Sequence, residues 1–287
     1  MNRTIHRLEV VMDLGSACLV PRRVSSSAEA RDVVEAEGAA VVSGIADEDA
    51  AIAFGSAMLG QELVRIGRQI EATKQRATED GAVVAAQPPD ERGRKRYISG
   101  DTSLPMPPHN DGFAFGDRAP DRLFLFSARP AAEGGESFLI DGLALLDELA
   151  KDPANADLVD FVRTVDIDHS EPNFPQHTFS PILRTTPAGR PQIRHHPYLA
   201  PVLGEHEAAQ WPLVRRWLEA VVTARDTGPR FRLAAGEMAV VDNYRVFHGR
   251  HGYTDPARRL YSIWAWSTSA VEVPTGALDI VNPVPVP

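Results

Sequence analysis

Three side chains in this sequence are candidate ligands for a single metal ion. His109 and Asp111 lie two positions apart in PMPPHNDGF, and His248 lies far downstream in VVDNYRVFHGRHGY. Residues at i and i+2 of an extended strand point to the same face, so this imidazole and carboxylate can chelate one ion. Two histidines and one carboxylate suit Fe(II) and leave coordination positions for a cosubstrate and O2. Zn(II) accepts the same ligands, so these residues alone leave the metal undecided.

Two further residues are suited to binding a carboxylate beside such a metal. Arg259 opens the strand-like segment RRLYSIWAWS, and a guanidinium binds a carboxylate through two parallel hydrogen bonds, which lysine cannot match. Ser137 can donate its hydroxyl to the same group. This combination predicts a site for a keto acid that chelates the metal at one end and is held by charge at the other.

Four short stretches of the chain carry a family resemblance. They are HNDG at 109–112, GGES at 134–137, DNYRVFHGR at 242–250 and YTDPARRLY at 253–261. With these stretches, the sequence resembles the taurine dioxygenase/clavaminate synthase-like family of Fe(II)- and 2-oxoglutarate-dependent oxygenases. The resemblance implies a double-stranded β-helix (jelly-roll) core. It also implies the cofactor Fe(II), the cosubstrate 2-oxoglutarate and O2.

The resemblance assigns roles to individual residues. His109, Asp111 and His248 would be the catalytic iron ligands, and Arg259, with Ser137, would bind the distal carboxylate of 2-oxoglutarate. Arg250 completes an HGR sequence that resembles the clavaminate and butyrobetaine hydroxylase branch, which implies a contact with the other end of the keto acid; its alternative interpretation is a salt bridge that stabilises the turn. The implied reaction oxidises an unactivated C–H bond, usually by hydroxylation, and releases succinate and CO2. Related halogenases have a small residue in place of the carboxylate ligand, so Asp111 favours oxygen-derived chemistry. The expected substrate is a small polar molecule, either amino acid-like or an intermediate of specialised (antibiotic) metabolism.

One departure and one alternative qualify this assignment. Taurine dioxygenase-type members carry a second arginine four residues after the anchoring one, where this chain has Ile263, so recognition of a taurine-type sulfonate is not expected. The alternative is a cupin-like metal-binding protein, or a hydrolase that uses a metal-bound water. Arg259 separates the two hypotheses, because a simple hydrolase does not need a buried guanidinium beyond its metal.

The elements that must position these residues are short strands with helices outside them. Alternating or continuous apolar segments predict strands at 122–130, 134–141, 230–249 and 258–267, and two more around a turn in 180–197. Helical spacing and caps predict helices at 48–59, 142–151 and 205–225. The predicted fold is therefore mainly β with flanking helices (α+β).

Two regions are expected to form the substrate walls. The polar stretch 70–108 predicts a mobile active-site loop, and 168–198 predicts a substrate-region insert. Within or beside them, Phe113, Arg194 and His196 are candidate substrate contacts.

Composition excludes several classes of function. The 287 residues contain 30 Lys+Arg against 39 Asp+Glu, a net charge of −9, which disfavours nucleic acid and anionic membranes as partners. A single cysteine, Cys18, excludes multi-cysteine metal sites. The sequence contains neither a signal-peptide pattern nor an apolar run of spanning length, which predicts a cytoplasmic location. Because all candidate residues must meet in one site, we expect one domain over 1–287; the sequence does not define its oligomeric state.

Overall fold

The computed structural model describes residues 13–69, 102–170 and 177–276. The α-helices in these ranges are α1 (Ser27–Glu37), α2 (Glu48–Leu59), α3 (Gly142–Ala150), α4 (Ala156–Thr164) and α5 (Glu207–Thr227). The strands are β1 (Cys18–Leu19), β2 (Arg22–Val24), β3 (Ala39–Val42), β4 (Leu63–Arg68), β5 (Met106–His109), β6 (Arg122–Arg129), β7 (Ser137–Asp141), β8 (Ile167–Asp168), β9 (Phe179–Ser180), β10 (Leu183–Thr185), β11 (Pro191–Ile193), β12 (Ala200–Pro201), β13 (Glu237–Asp242), β14 (Val246–Arg250) and β15 (Arg259–Ser267).

The larger of two main sheets has six strands in the order β2-β3-β13-β6-β15-β4. Its neighbours are antiparallel except for the parallel pair β2-β3. The long strand β15 lies inside this sheet, where Trp264 is opposite Leu123 of β6 and Gly67 of β4. Side chains on β15 therefore occupy positions that both neighbouring strands hold in register.

The smaller main sheet has four strands in the order β1-β7-β14-β5. Its three pairings are antiparallel, and His248 of β14 is directly opposite His109 of β5. Strand pairing alone thus brings together two residues that are far apart in the chain. The remaining strands form a three-stranded sheet, β12-β8-β9, and the hairpin β10-β11.

The two main sheets pack face to face, and helices cover their outer faces. Buried side chains from both sheets, among them Leu139, Val246, Val241 and Trp264, form the cluster between them. Helices α1 and α2 pack on the outside of the six-stranded sheet, and α3, α4 and α5 pack on the outside of the four-stranded one. Along β15, Trp264 and Trp266 face the sandwich interior, whereas Ile263 and Ala265 face the outer helices.

The expected class, mainly β with flanking helices, is confirmed. Helix 48–59 is confirmed with its cap, since the Asp47 carboxylate accepts a hydrogen bond from the backbone N–H of Ala50. The double-stranded β-helix and the single-domain organisation stay predictions. Of the predicted active-site loop, residues 70–101 lie outside the described part of the chain, as do 171–176 of the predicted insert. Within the described ranges, no helix combines the length and apolar character that crossing a membrane requires.

Candidate active site

Three potential metal ligands converge where β5 and β14 pair. The Oδ1 atom of Asp111 lies 3.2 Å from Nε2 of His109 and 3.4 Å from Nε2 of His248. One potential ligand atom from each residue lies within 4.8 Å of the others. Neighbouring ligands of a metal with bonds of about 2.1 Å at right angles are about 3 Å apart, so the arrangement fits one ion. The donor set, two histidines and one carboxylate on one face, is the one typical of non-haem Fe(II).

The protonation states of the three residues suit ligation. The Nδ1 atom of His109 lies 2.9 Å from the backbone oxygen of Pro107; a carbonyl only accepts, so Nδ1 carries a proton and Nε2 is the nitrogen that faces Asp111. Burial lowers the pKa of His248, which keeps its ring neutral. Burial alone would raise the pKa of Asp111, but His248 and His109 outweigh it and hold that pKa well below its usual range.

Two buried asparagines clamp the ligand-bearing segments to each other. The Asn110 side chain donates to the backbone oxygen of Asn243 at 2.7 Å and accepts from the backbone N–H of His195 at 2.8 Å. Asn243 accepts from the backbone N–H of Asp111 at 2.9 Å and donates to the Asp111 carbonyl at 2.9 Å. These side-chain amides fasten the segment that carries His109 and Asp111 to the turn before His248. Neither asparagine was identified from the sequence.

A cavity of about 650 Å³ opens beside the three ligands. Its walls include apolar side chains, among them Phe113, Phe115, Leu260 and Trp264, and charged or hydroxyl side chains, among them Glu48, Arg68, Ser137, Arg250 and Arg258. A pocket that is mostly apolar with a few convergent polar groups is the usual form of a small-molecule site.

Ser137 and Arg250 lie in the cavity wall and are directly opposite each other in the pairing of β7 with β14. Arg250 is buried, and its guanidinium donates to the backbone oxygens of Thr102 and Leu104 at 3.1 and 2.9 Å. It thus fastens the segment before β5 to the site while it lines the cavity. The two interpretations of Arg250, a contact with the keto acid or a salt bridge that stabilises the turn, both stay predictions.

The structure does not bring Arg259 into the cavity, and Arg258 is there in its place. The Arg259 side chain is exposed and donates to the backbone oxygens of Pro256 and Arg258 at 2.8 and 2.9 Å. Exposure alternates along this segment: Arg258, Leu260 and Ser262 are half-buried and line the cavity, whereas Arg259 and Tyr261 are exposed, and of these two only Tyr261 also borders the cavity. Arg259 belongs to the opposite set. The structure thus places Arg258 in the cavity wall and the predicted residue, Arg259, outside it.

The glycine pair of the GGES motif allows the loop that carries Arg258 to approach. Gly134 and Gly135 have φ of +70° and +68°, and a Cβ on Gly134 would lie 2.4 Å from the backbone oxygen of Gly252. The Tyr253 ring then lies under two guanidiniums, with Cζ of Arg250 4.8 Å and Cζ of Arg258 4.6 Å from its centroid. Both arginines are thereby held beside Ser137.

The candidate substrate contacts are placed unequally. Phe113 lines the cavity, and His196 stacks behind it with the ring centroids 4.2 Å apart and the planes 6° from parallel. Arg194 is not among the cavity-lining residues: it is buried and donates to Asp117 at 2.9 Å. Burial and the neighbouring Arg184 lower the pKa of Arg194 to about 10, so it remains charged at neutral pH. His196 therefore supports the cavity wall by stacking on Phe113, and Arg194 is not part of that wall.

Fold and site together define a mononuclear metal enzyme with a small-molecule cavity. The model of the taurine catabolism dioxygenase TauD, TfdA family matches residues 20–264, and the chain belongs to this family. It is therefore a 2-oxoglutarate-dependent dioxygenase, as the four motifs implied, and the family's cofactors are Fe(II) and 2-oxoglutarate.

Solved structures share this fold at low sequence identity. An asparagine oxygenase in complex with Fe(II), 2S,3S-3-hydroxyasparagine and succinate has 16% identity and a TM-score of 0.54, with 84% of this chain and 78% of that one covered. AAD-2 in complex with Mn(II) and N-oxalylglycine has 14% identity and a TM-score of 0.58 over 87% and 96%. A taurine dioxygenase from Burkholderia xenovorans has 15% identity and a TM-score of 0.53 over 87% and 83%. A search of curated proteins finds no match.

Proposed function

We propose that this protein hydroxylates an unactivated C–H bond of a small polar molecule, with Fe(II) and 2-oxoglutarate, and releases succinate and CO2. The substrate we propose is amino acid-like or an intermediate of specialised (antibiotic) metabolism. The observation that carries the proposal is the convergence of His109, Asp111 and His248 on a cavity that also contains Arg258. A metal site and a guanidinium in one cavity suit a keto acid, because a keto acid chelates the metal at one end and carries a carboxylate at the other.

In this proposal, the chain's own residues divide the work around the cosubstrate. His109, Asp111 and His248 would hold Fe(II), which with 2-oxoglutarate supplies the oxidant for the C–H bond. Arg258 would bind the distal carboxylate of 2-oxoglutarate through its guanidinium, and Ser137 would add a hydroxyl hydrogen bond. The keto-acid anchor expected at Arg259 thus moves to its neighbour. The position four residues further along is then Ser262 in place of Ile263; it is still not arginine, so a taurine-type sulfonate remains an unsuitable substrate.

The proposed substrate class rests on the charges at another part of the cavity wall. Glu48 and Arg68 line the cavity and form an ion pair, with 2.9 Å between Glu48 Oε2 and Arg68 Nε, and Arg68 also donates to Asp49 at 2.8 Å. A carboxylate and a guanidinium side by side complement the ammonium and carboxylate of an amino acid. The similarity in fold to an asparagine oxygenase supports the same class.

Apolar side chains would exclude water from the reacting carbon. Phe113, Phe115 and Leu260 are among the residues that line the cavity. Removal of water protects a reactive oxidant from side reactions and strengthens the electrostatic contacts to the cosubstrate.

An anaerobic titration tests the proposal. The protein is loaded with Fe(II), 2-oxoglutarate is added, and the metal-to-ligand charge-transfer absorption of the chelate is recorded. A panel of free amino acids is then screened for succinate release in air above the uncoupled rate. We expect the absorption band to appear and at least one amino acid to stimulate succinate release. Metal binding without any keto-acid binding would contradict the proposal and favour the cupin-like or hydrolytic alternative.

A further inference from the structure

The two oxygen atoms of the Asp111 carboxylate have different neighbours. Oδ1 faces Nε2 of both histidines, at 3.2 and 3.4 Å. Oδ2 accepts two hydrogen bonds from β15: one from Nε1 of Trp264 at 2.8 Å and one from Oγ of Ser262 at 3.1 Å. One oxygen therefore belongs to the metal face, and the other belongs to the protein interior.

We infer that Trp264 and Ser262 are positioning residues that make Asp111 a ligand through one oxygen only. A carboxylate can bind a cation through one or both oxygens. Each carboxylate oxygen has about two lone-pair sites, and two donors already use those of Oδ2. Because a facial set of two histidines and one carboxylate functions by keeping its other positions open, a second carboxylate oxygen on the metal would take a position that a chelating keto acid needs. This inference rests on the proposed Fe(II) and 2-oxoglutarate function.

The surroundings of Trp264 explain why its indole can direct a charged group. Its side chain is 1% exposed, and its ring packs edge-on against Phe115 and Trp266, with centroids 6.0 and 6.2 Å away. Its backbone is paired on both sides, with Leu123 and Gly67. The indole N–H is therefore fixed by packing and by the sheet, and the carboxylate must orient toward it.

The residue after Asp111 packs closely against the chain beside it. Gly112 has φ of +73°, and a Cβ there would lie 2.7 Å from Cδ of Pro120, whereas the Trp264 ring at 3.5 Å would be in ordinary contact. A residue with a side chain would be strained at this φ and would clash with Pro120. The glycine of the HNDG motif thus has a physical reason: it allows the segment after Asp111 to pack against Pro120.

The experiment compares two tryptophans on the same strand. Trp264→Phe removes the indole N–H that contacts Asp111. Trp266→Phe removes an indole N–H that donates to the backbone oxygen of Arg118 at 2.9 Å, in an equally buried ring away from the ligands. Co(II) is titrated anaerobically into wild type, both variants and Ser262→Ala, and its visible d–d absorption reports both affinity and coordination number.

We expect Trp264→Phe to weaken Co(II) binding by about 10-fold or more, the usual effect of removing a partner of a metal ligand. The d–d spectrum of this variant should change intensity as the carboxylate becomes free to bind through both oxygens. Ser262→Ala should shift both quantities in the same direction and less, and Trp266→Phe should stay within about twofold of wild type. Wild-type affinity and spectrum in Trp264→Phe would overturn the inference, as would an equal loss in Trp266→Phe, which would indicate packing.

A second substitution keeps the test decisive if Trp264→Phe does not fold. Benzothienylalanine at position 264 preserves the two fused rings and replaces the N–H by sulfur, so the packing stays and only the donor is lost. The same loss of Co(II) affinity supports the inference, and unchanged binding refutes it. Because Co(II) binding requires neither 2-oxoglutarate nor substrate, failure of the proposed oxygenase function would be seen separately, in the keto-acid titration of the wild-type protein.

Discussion

Arg258 lies in the cavity wall and Arg259 lies outside it, so alanine substitutions of these two neighbours should differ in their effect on 2-oxoglutarate binding. Arg258 lines the cavity beside the GGES turn: a Cβ on Gly135 would lie 3.4 Å from its Nε. Arg259 is exposed, and its guanidinium donates to the backbone oxygens of Pro256 and Arg258. We expect Arg258→Ala to lose binding of 2-oxoglutarate and Arg259→Ala to retain it.

The expected magnitude follows from the burial of the guanidinium. A hydrogen bond to a charged group contributes about 1.5–3 kcal/mol, and removal of one partner of a fully buried pair costs about 3–5 kcal/mol. Arg258 is partly exposed, so a loss of about 3 kcal/mol is reasonable for a paired guanidinium, which corresponds to about a 100-fold higher Kd. Arg258→Lys keeps the charge without the two-pronged geometry, and about a 10-fold rise in Kd is expected. Arg259→Ala should change Kd by less than about threefold.

The assay is the anaerobic titration of 2-oxoglutarate into each Fe(II)-loaded variant, followed by the charge-transfer absorption. Co(II) affinity and thermal unfolding of the same variants serve as controls, because Arg258 contacts no metal ligand and its loss should leave both nearly unchanged. Loss of keto-acid binding in Arg259→Ala with retention in Arg258→Ala would refute the reasoning. It would show that the side-chain alternation of β15 in solution is shifted by one residue.

Three further predictions concern the metal, the substrate and pH. His248→Ala removes one of three ligands and should abolish Fe(II) binding at micromolar metal in a chelator-competition assay, while circular dichroism stays that of the folded protein. Arg68→Ala should raise the KM of the amino acid substrate about 10-fold without changing the Kd of 2-oxoglutarate, and Glu48→Gln should act in the same way; a matching loss of keto-acid binding would place this pair at the wrong end of the cavity. Burial lowers the pKa of His169 and of His195 to about 3, below the 6.5 of an exposed histidine. The unfolded chain therefore takes up protons first, so stability is full above pH 6.5 and falls with decreasing pH, by about 2 kcal/mol for each histidine at pH 5. Urea unfolding at pH 7 and pH 5 should show this loss, and His195→Asn should remove about half of it.

Many helices and strands could be predicted from the sequence because caps, glycines and apolar patterns agree with the elements that the tertiary structure contains. Asp47 and Gly60 bound helix α2 where a cap and a glycine are expected, and the strand predicted at 258–267 corresponds to β15. Helix α4 was not anticipated: its first-turn cap is weak, and Asn155 makes no side-chain cap bond. Its apolar face is defined by packing against α3 and α5, which a short sequence window does not contain.

Fewer of the residues in the candidate site could be predicted from the sequence, because these residues act through contacts between distant segments. Asn243 holds the backbone of Asp111, which is 132 positions away, and the sequence near either residue does not predict these hydrogen bonds. Glu48 begins α2 and Arg68 ends β4, and only the sheet brings them to one cavity wall. Trp264 reads as a core residue in an apolar strand, and its hydrogen bond to a metal-ligating carboxylate becomes visible only once the strands are assembled.

The sequence by itself determined the chemistry available to this protein: two imidazoles, a carboxylate and an arginine pair in motifs specific enough to identify the family. Residue type and short spacing are local properties, so they survive without a fold. The tertiary structure alone decided which arginine of the pair enters the cavity, which oxygen of Asp111 faces the metal, and which charges complete the pocket. Those choices depend on the side-chain alternation of one strand and on atoms brought together by sheet pairing, and a shift of one residue would reverse them.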